Sequence, residues 1–255
     1  MDQIITEKRD GILRIEINRP EKKNALTAAM YQAMADALAA AEADSKVRVV
    51  LIHGKTGLFT AGNDLQDFLD NRPRDDNRPA FQFLRNISRA QKPIVAAVAG
   101  AAVGIGTTML LHCDLVYAAP NARLQLPFVN LGLVPEAASS LLLPALVGYQ
   151  RAAELLLLGE PFSAQQAKDM GLVTEVVPED VLLETALAQA KKLVQKPAVS
   201  VRLTKQLMKR SFAAAMAEQM ELEIGHYGEL LGAPAAKEAF TAFFEKRKPD
   251  FSKFD

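Results

Sequence analysis

Two segments of this sequence place glycine and alanine directly after an apolar, strand-like run, and they constrain the fold more than any other feature. The first, Gly54–Phe68, reads GKTGLFTAGNDLQDF, and the second, Ala97–Leu115, reads AVAGAAVGIGTTMLLHCDL. Tight turns at small residues leave backbone N–H groups open to a ligand, and such groups attract anions. The pair of turns therefore predicts an anion site built from backbone donors.

Length and composition indicate one large α/β domain, because 255 residues with 49% hydrophobic side chains suffice for a sizeable core. Thirty basic residues balance thirty acidic ones, so we expect no nucleic-acid partner and no strongly charged field. The single cysteine, Cys113, excludes an intrachain disulfide and a cysteine-based zinc site. Because the net charge is balanced, an anionic ligand must be bound by groups at one local site and not by a general surface charge.

The segment Ile94–Leu111 is free of charge over about the length of a membrane span. Pro93 before it and His112–Asp114 after it favour a buried strand, a glycine turn and a buried helix instead. The first ten residues, MDQIITEKRD, carry charges where a signal peptide has its apolar core. We therefore expect a cytoplasmic protein that does not enter a membrane.

The first half of the chain predicts alternating strands and helices. Asp10-Gly11 joins two strand-like runs as a hairpin, and Thr27 is a typical N-cap for the helix that follows. The β-branched run Val47–His53 indicates a buried strand. Further on we expect helices over Pro79–Ala90 and Gly104–Leu111, strands over Ile94–Ala99 and Asp114–Ala119, and a solvated loop over Asp70–Arg78.

The second half is predicted to be mainly helical. The apolar spacing indicates helices over Glu136–Leu146, Gln150–Leu158, Ser163–Met170 and Val181–Gln195, with one strand over Val173–Val177. One long amphipathic helix is predicted over Val199–Leu231, and Pro234 starts a final one.

Six motifs in order make the chain resemble one known family over essentially its whole length. They are NRPEKKNAL (Asn18–Leu26), LFTAGNDL (Leu58–Leu65), AGAAVGIG (Ala99–Gly106), PFVNLGLVPEAASS (Pro127–Ser140), the segment Phe162–Val177, and FFEKRKPDF (Phe243–Phe251). In this order and spacing the set resembles the crotonase superfamily, the enoyl-CoA hydratase and isomerase group, most closely its Δ3,Δ2-enoyl-CoA isomerase branch.

The resemblance implies an α/β crotonase fold, a spiral of ββα units followed by a C-terminal helical region. It implies a core over residues 1–195 and a trimerisation region over 196–255, with assembly as a homotrimer or a dimer of trimers. The implied substrate is an acyl-CoA thioester, in which coenzyme A is part of the substrate. Neither a metal nor a redox cofactor is called for.

The two glycine turns acquire a role through the resemblance. The family binds the thioester oxygen with two backbone N–H groups, which correspond here to Asn63 and Ile105. Removal of a proton beside a thioester places negative charge on that oxygen as an enolate. Loss of one such donor costs roughly 3–4 kcal/mol of transition-state stabilisation.

The resemblance also separates the reactions that the chain supports. Hydratases of the family use two glutamates, whose positions correspond here to Thr108 and Phe128, and neither is an acid or base. Glu136 stands where the isomerase branch carries its catalytic glutamate, and one carboxylate suffices to move a proton between C2 and C4. Leu133, Val134 and their neighbours Ala137 and Ala138 are expected to desolvate Glu136. The alternative is an ordinary, exposed first-turn glutamate after Pro135.

Residues expected to contact CoA follow from the same motifs. They are Lys23, Ala25, Ala61, Gly62, Asn63, Asp64, Leu65, Gly106, Phe243 and Lys246. For the lysines the alternative is a solvated basic patch, and Asp64 is also a candidate cap for the helix that begins near Leu65.

Other chemistry-bearing residues have structural interpretations. GIGTTM lacks the third glycine of a dinucleotide-binding turn, which Met109 replaces. His53, His112 and His226 are expected to be structural, and Cys113 to be an inert core thiol. Without a GxSxG elbow, Ser139 and Ser140 are expected to be small packing residues.

Three functional hypotheses follow. The first is a Δ3,Δ2-enoyl-CoA isomerase that uses Glu136 with the Asn63 and Ile105 amides. The second is an enoyl-CoA hydratase or another enolate-forming crotonase, because activities diverge widely on one fold. The third, from a different class, is a non-catalytic acyl-CoA-binding protein.

Overall fold

The computed structural model describes residues 2–55, 57–70 and 79–254 as nine strands and eleven α-helices. The strands are β1 Ile4–Arg9, β2 Ile12–Ile17, β3 Val49–Gly54, β4 Ile94–Val98, β5 Ala101–Val103, β6 Leu115–Ala118, β7 Arg123–Gln125, β8 Phe162–Ser163 and β9 Glu175–Val176. The helices are α1 Ala28–Ala43, α2 Leu65–Asp70, α3 Pro79–Arg89, α4 Ile105–Thr108, α5 Ser139–Val147, α6 Tyr149–Ala153, α7 Ala164–Asp169, α8 Glu179–Val194, α9 Ala198–Lys209, α10 Ala213–Leu231 and α11 Pro234–Phe244. Short 3-10 helices cover Pro20–Lys22, Met109–His112 and Val129–Leu131, and a π-helical turn covers Glu154–Leu158.

The main sheet has six strands in the order β1-β2-β3-β4-β6-β9. β1 and β2 form the predicted antiparallel hairpin, with Asp10 and Gly11 at positive φ in its turn. The other pairs are parallel, with Ile12 opposite Val49 in the β2–β3 pair and Val50 opposite Ile94 in the β3–β4 pair. The parallel strands therefore all end at one edge, where the two glycine turns begin.

Alternating side chains of the main sheet pack into two separate cores. Ile15, Ile52 and Ala96 face the larger core, which α1, α3 and the C-terminal helices complete. Val49 and Leu51 face the opposite side and pack beneath α8. Burial on both faces explains why β3 and β4 are continuous apolar runs rather than alternating ones.

A second, three-stranded sheet in the order β5-β7-β8 was not expected from the sequence. Its strands are two or three residues long, too short to show a periodic pattern. β5 is parallel to β7, and Thr60 forms an isolated parallel bridge with Ala102 of β5. This small sheet holds the second glycine turn against the first.

The prediction of a single helix over Val199–Leu231 was wrong. A turn at residues 210–212 separates α9 from α10, although the sequence there contains neither glycine nor proline. The two helices have different tertiary partners. Lys205 of α9 pairs with Asp114 at 2.7 Å, whereas Glu223 of α10 accepts hydrogen bonds from the backbone N–H groups of Ala138 and Ser140. Packing against different parts of the core therefore breaks the helix.

Other predicted elements differ in extent. The strand predicted over Val173–Val177 is only β9, and the helix predicted over Gly104–Leu111 is α4 followed by a 3-10 turn. Most of the predicted loop Asp70–Arg78 lies outside the described residues. The apolar segment Ile94–Leu111 contains two strands and a short helix, and none of the described helices has the length and apolar character needed to cross a membrane. The division at residue 195 stays a prediction.

Candidate active site

Buried Asn24 ties the loop before α1 to the first glycine turn. Its side-chain amide donates to the carbonyl oxygens of Leu58 at 2.7 Å and Phe59 at 3.2 Å, and its Oδ1 accepts from the Arg19 N–H. The Thr60 hydroxyl donates back to the Asn24 carbonyl at 2.6 Å. The NRPEKKNAL and LFTAGNDL motifs are thus one connected structure.

The two glycine turns contact each other closely. Thr60 N–H donates to Ala101 O at 2.9 Å, and Val103 N–H donates to Thr60 O at 3.1 Å. A Cβ at Gly62 would lie 2.8 Å from Val103 O, and one at Gly106 would lie 2.7 Å from the Thr60 methyl group. Glycine at positions 62 and 106 is therefore needed for the two turns to approach each other.

The two backbone N–H groups predicted to bind the thioester oxygen belong to Asn63 and Ile105, one on each turn. Leu26 N–H donates to Gly62 O and Asp64 N–H donates to Leu26 O, so in this parallel bridge the Asn63 N–H points to the opposite side. Ile105 is the first residue of α4, and the N–H at that position has no acceptor within its helix. The two N–H groups predicted from the sequence to bind the thioester oxygen therefore lie on two adjacent turns.

Glu136 lies in an irregular segment before α5, so the prediction of a helix from residue 136 was wrong. α5 begins at Ser139, after a turn in which Ala137 and Ala138 have φ of 65° and 53°. Glu136 is 5% exposed, which excludes the solvent-exposed first-turn glutamate. Its Oε1 accepts no hydrogen bond from the part of the chain that the structure describes.

Burial raises the pKa of Glu136 to about 8, and the nearby carboxylate of Glu223 adds to the effect. The apolar residues expected around it are present, because Leu133, Ala137 and Ala138 are buried in the main core. A carboxyl group with this pKa takes up and releases a proton near neutral pH, as a general acid and base must.

Tyr31 connects the first glycine turn with Glu136. Its hydroxyl donates a hydrogen bond to Asn63 Oδ1. Burial raises the pKa of Tyr31 well above its usual value, and the Glu136 charge contributes, so the two side chains are close. The sequence did not identify Tyr31, because it occupies an apolar position of α1 like Met30, Met34 and Leu38.

The two positions that the resemblance assigns to the glutamates of a hydratase hold buried uncharged residues. Thr108 is fully buried in α4, and Phe128 is 4% exposed in the main core. Glu223 is the carboxylate that acts on the Glu136 pKa, and its two oxygens accept hydrogen bonds from Ala138 and Ser140. The arrangement thus supports proton transfer by one carboxyl group.

Residues expected to contact CoA surround the first turn. Lys23 is exposed and its backbone is in the left-handed conformation, with a φ of 52°. Its carbonyl oxygen accepts a hydrogen bond from the Ala61 N–H at 3.0 Å. Asp64 caps α2, as expected, by accepting from Gln66 N–H, while its other oxygen pairs with Arg19 at 2.7 Å. Ala25, Ala61 and Leu65 are partly exposed, whereas Gly62 and Gly106 are buried.

Phe243 and Lys246 lie apart from these loops, at the C-terminal end of α11. Both are exposed, and the Lys246 N–H donates to Phe243 O at 3.2 Å. Their part in binding CoA stays a prediction.

The other chemistry-bearing residues singled out in the sequence lie in environments that favour structural roles over catalytic ones. Burial raises the pKa of the Cys113 thiol to about 12, which disfavours the reactive thiolate. Burial lowers the pKa of His112 to about 4, so the ring is neutral, and its Nε2 lies 2.8 Å from Ala137 O. Ser140 is bonded to Glu223, and Ser139 is fully buried.

Comparison with known proteins extends over nearly the whole chain. The family model described as enoyl-CoA hydratase/isomerase matches residues 7–253. The chain is 34% identical over 254 residues to 2,3-dehydroadipyl-CoA hydratase of Escherichia coli (strain K12), covering 98% of this chain and 99% of that protein. It is 37% identical over 214 residues to enoyl-CoA delta isomerase 2 of Rattus norvegicus, covering 82% of this chain and 54% of that protein. It superposes with a TM-score of 0.94, at 42% identity, on the crystal structure of enoyl-CoA hydratase/isomerase from Pseudoalteromonas atlantica T6c, covering 98% of this chain and 100% of that one.

Proposed function

The chain belongs to the enoyl-CoA hydratase/isomerase family, and on that premise we propose that it is a Δ3,Δ2-enoyl-CoA isomerase. Its crotonase-type α/β fold with a C-terminal helical region is confirmed by the superposition on a solved family structure. Membership establishes an enzyme family that acts on acyl-CoA thioesters. The choice of isomerisation within that family is the proposal.

The observation that carries the proposal is the state of Glu136. Its carboxyl group is buried, one oxygen has no partner among the described residues, and its pKa is raised to about 8. In the proposed reaction the ionised group removes a proton from C2 of a 3-enoyl-CoA. It then returns that proton to C4, which leaves the double bond between C2 and C3.

The two backbone donors supply the electrostatic half of the mechanism. Proton removal places negative charge on the thioester oxygen, and the Asn63 and Ile105 N–H groups are proposed to bind it. Because the two turns are hydrogen-bonded to each other, these donors are oriented before the charge develops. The acyl chain would then lie between the turns and Glu136, beside Tyr31.

Hydration is the second candidate, and several relatives, including the Escherichia coli protein, are named as hydratases. Hydration needs a water molecule positioned and activated by acid and base groups, whereas Thr108 and Phe128 are uncharged. The relative named enoyl-CoA delta isomerase 2 accords with the single-carboxylate reaction. A non-catalytic acyl-CoA-binding protein would have no need for a buried glutamate whose Oε1 has no partner among the described residues.

Separate assays with a 3-enoyl-CoA and a 2-enoyl-CoA test the proposal. We expect the first to be converted to the 2-enoyl-CoA and the second to be hydrated slowly or not at all. Glu136→Gln should lower isomerisation by roughly 10²–10⁴-fold, whereas the exposed Glu218→Gln on α10 should retain it.

Hydration of the 2-enoyl-CoA without isomerisation of the 3-enoyl-CoA would contradict the assignment. Tight CoA-thioester binding without turnover of either substrate would favour the non-catalytic alternative.

We further propose a homotrimeric unit, alone or as a dimer of trimers, in the cytoplasm. Large apolar side chains are exposed on the C-terminal helices, including Leu203, Leu207, Met208 and Leu222. Large apolar side chains exposed in this number on one region commonly mark a protein interface. Light scattering of the purified protein would distinguish a trimer from a hexamer, and a monomer would contradict the proposal.

A further inference from the structure

The backbone directly after Glu136 adopts an uncommon conformation. Ala137 and Ala138 both have positive φ, 65° and 53°, and both side chains are fully buried. Residues with a Cβ disfavour this region, which glycine usually occupies. Contacts from elsewhere in the protein must therefore hold the turn that sets the position of the Glu136 carboxyl group.

Glu223 of α10 supplies most of those contacts. One of its oxygens accepts from Ala138 N–H at 2.6 Å, and the other accepts from Ser140 N–H at 3.0 Å and from the Ser140 hydroxyl. Gln219 Nε2 donates to the same hydroxyl at 2.9 Å. Two residues of α10 thus hold the chain immediately after the turn.

His112 holds the turn from the other side. Its Nε2 lies 2.8 Å from Ala137 O, and because a carbonyl only accepts, this nitrogen carries the proton. The Ser139 N–H donates to Glu136 O at 3.1 Å. Groups from two other elements therefore hold the backbone at Ala137, Ala138 and Ser140, and the bond from Ser139 to Glu136 lies within the turn itself.

Glu223 stands in the apolar stripe of α10, between the buried residues Met220, Ile224 and Tyr227. It is only 5% exposed, and a buried carboxylate is unfavourable unless its hydrogen bonds are satisfied. Attachment of α10 to the core alone needs no carboxylate, since an apolar residue at this stripe position would pack. The carboxylate has a more specific use in pairing the N–H groups at the turn.

We propose that Glu223 is a positioning residue for the general base Glu136, acting through the backbone turn at Ala137 and Ala138. The inference rests on the proposed function of Glu136. It assigns to the C-terminal helical region a direct influence on the reacting carboxyl group.

The charge of Glu223 gives this role a measurable signature. After burial, the Glu223 carboxylate is the cause that raises the pKa of Glu136. The other titratable groups around this segment are Tyr31 of α1, Tyr227 of α10 and His112 of the 3-10 turn. Burial raises the pKa of Tyr31 and lowers that of His112, so both are neutral near pH 8. Burial also raises the pKa of Glu223, while N–H donors favour its ionised form.

Two variants separate the charge of Glu223 from its geometry. Glu223→Asp keeps the charge but is one methylene shorter, so it cannot reach both N–H groups. We expect kcat to fall by about 10–100-fold, with the acidic limb of the pH profile unmoved and KM nearly unchanged. Glu223→Gln removes the charge, and its acidic limb should move to lower pH by about one unit or more, with a fall in kcat. Glu218→Gln, exposed on the same helix, is the matched control.

A second measurement needs no turnover, so it stands even if the chain proves not to be an isomerase. The effect of Glu136→Gln on the free energy of unfolding, followed from pH 5 to pH 10, reports the pKa of Glu136. Measured again in the Glu223→Gln background, the midpoint of that effect should move to lower pH.

An unmoved midpoint in the Glu223→Gln background would overturn the influence of Glu223 on Glu136. A Glu223→Asp variant that loses thermal stability but keeps the kcat of Glu218→Gln would reduce Glu223 to a structural residue. Failure of the isomerase assay with a moved midpoint would overturn the proposed reaction and leave the coupling of the two glutamates standing.

Discussion

The hydroxyl of Tyr31 donates a hydrogen bond to the side-chain oxygen of Asn63, the residue whose backbone N–H is proposed to bind the thioester oxygen. Tyr31 is 3% exposed and packs 5.8 Å from the Phe83 ring, measured between ring centroids. Helix α1 therefore restrains the first glycine turn through a side chain that also feels the charge of Glu136.

Removal of the Tyr31 hydroxyl should weaken the reaction modestly. In Tyr31→Phe the Asn63 side chain loses a buried donor, and a net hydrogen bond contributes about 0.5–1.5 kcal/mol. We expect kcat/KM for the 3-enoyl-CoA to fall about 2–10-fold. Tyr149→Phe, at a residue 71% exposed, is the control. Equal kcat/KM values for the two variants would show that the bond does not matter to catalysis.

The raised pKa of Glu136 predicts the pH dependence of isomerisation. Only the ionised carboxylate accepts a proton from C2, so kcat/KM should rise with pH and level off above about 8. The acidic limb should have unit slope in log kcat/KM, because one group titrates. Steady-state assays from pH 5 to pH 10 measure it. A profile that is already flat from pH 5 to 6 would exclude a base with this pKa.

The same pKa predicts how stability depends on pH. Folding raises the pKa of Glu136 from its ordinary value of 4.5 to about 8, so between these values the folded chain keeps a proton that the unfolded chain releases. Stability therefore falls as pH rises through this window and levels off above it. Glu136→Gln does not lose stability in this way. The difference between its free energy of unfolding and that of wild type should therefore be more favourable to the variant at pH 9 than at pH 5, by about a few kcal/mol.

Urea unfolding of wild type, Glu136→Gln and Glu218→Gln at both pH values measures that advantage. The exposed Glu218 should show no comparable change. An advantage for Glu136→Gln that is the same at pH 5 and pH 9 would refute the prediction.

Close contact between the two glycine turns predicts a selective effect at Gly62. Gly62→Ala places a Cβ 2.8 Å from Val103 O at a φ of 89°. Gly148 has a similar φ of 81° but nothing within 4 Å of an added Cβ, so Gly148→Ala introduces the backbone strain alone. Both variants should lose about 1–3 kcal/mol of stability, because residues with a Cβ rarely adopt a positive φ.

Only Gly62→Ala should also separate the two N–H donors, because the neighbouring carbonyl is part of the backbone and cannot rotate away. Misplaced donors of this kind reduce kcat by roughly 10²-fold. Stopped-flow or steady-state kinetics on the two variants measure the difference. Similar kcat values would show that contact between the turns is not needed for their function.

Local sequence signals predicted the elements that depend on neighbouring residues. The hairpin at Asp10-Gly11, the Thr27 N-cap and the Pro234 helix start are present because turn and cap chemistry acts within a few residues. The break between α9 and α10 and the short strands of the second sheet were missed. Their positions are set by partners that are distant in sequence.

Signals for the site were also unequal. Glu223 was visible as a charged residue in the apolar stripe of α10, although no sequence pattern shows that its partners are Ala138 and Ser140. Tyr31 fitted the apolar stripe of α1 and gave no signal at all. The hydrogen bonds of Tyr31 and of Glu223 each join residues more than thirty positions apart, so no local sequence pattern could reveal them.

By itself, the sequence determined that two glycine turns follow apolar strands, that Glu136 lies among apolar neighbours, and which family motifs occur in order. Those properties depend on residue types and their spacing, and these determine turns and strands through local backbone geometry. The tertiary structure adds that Gly62 packs against Val103 and Gly106 against Thr60, and that Glu136 has no partner at its Oε1 among the described residues. It also brings the Glu223 carboxylate of α10 near Glu136. Burial and charge proximity set the proton affinity of a carboxyl group, and both exist only once the chain has folded.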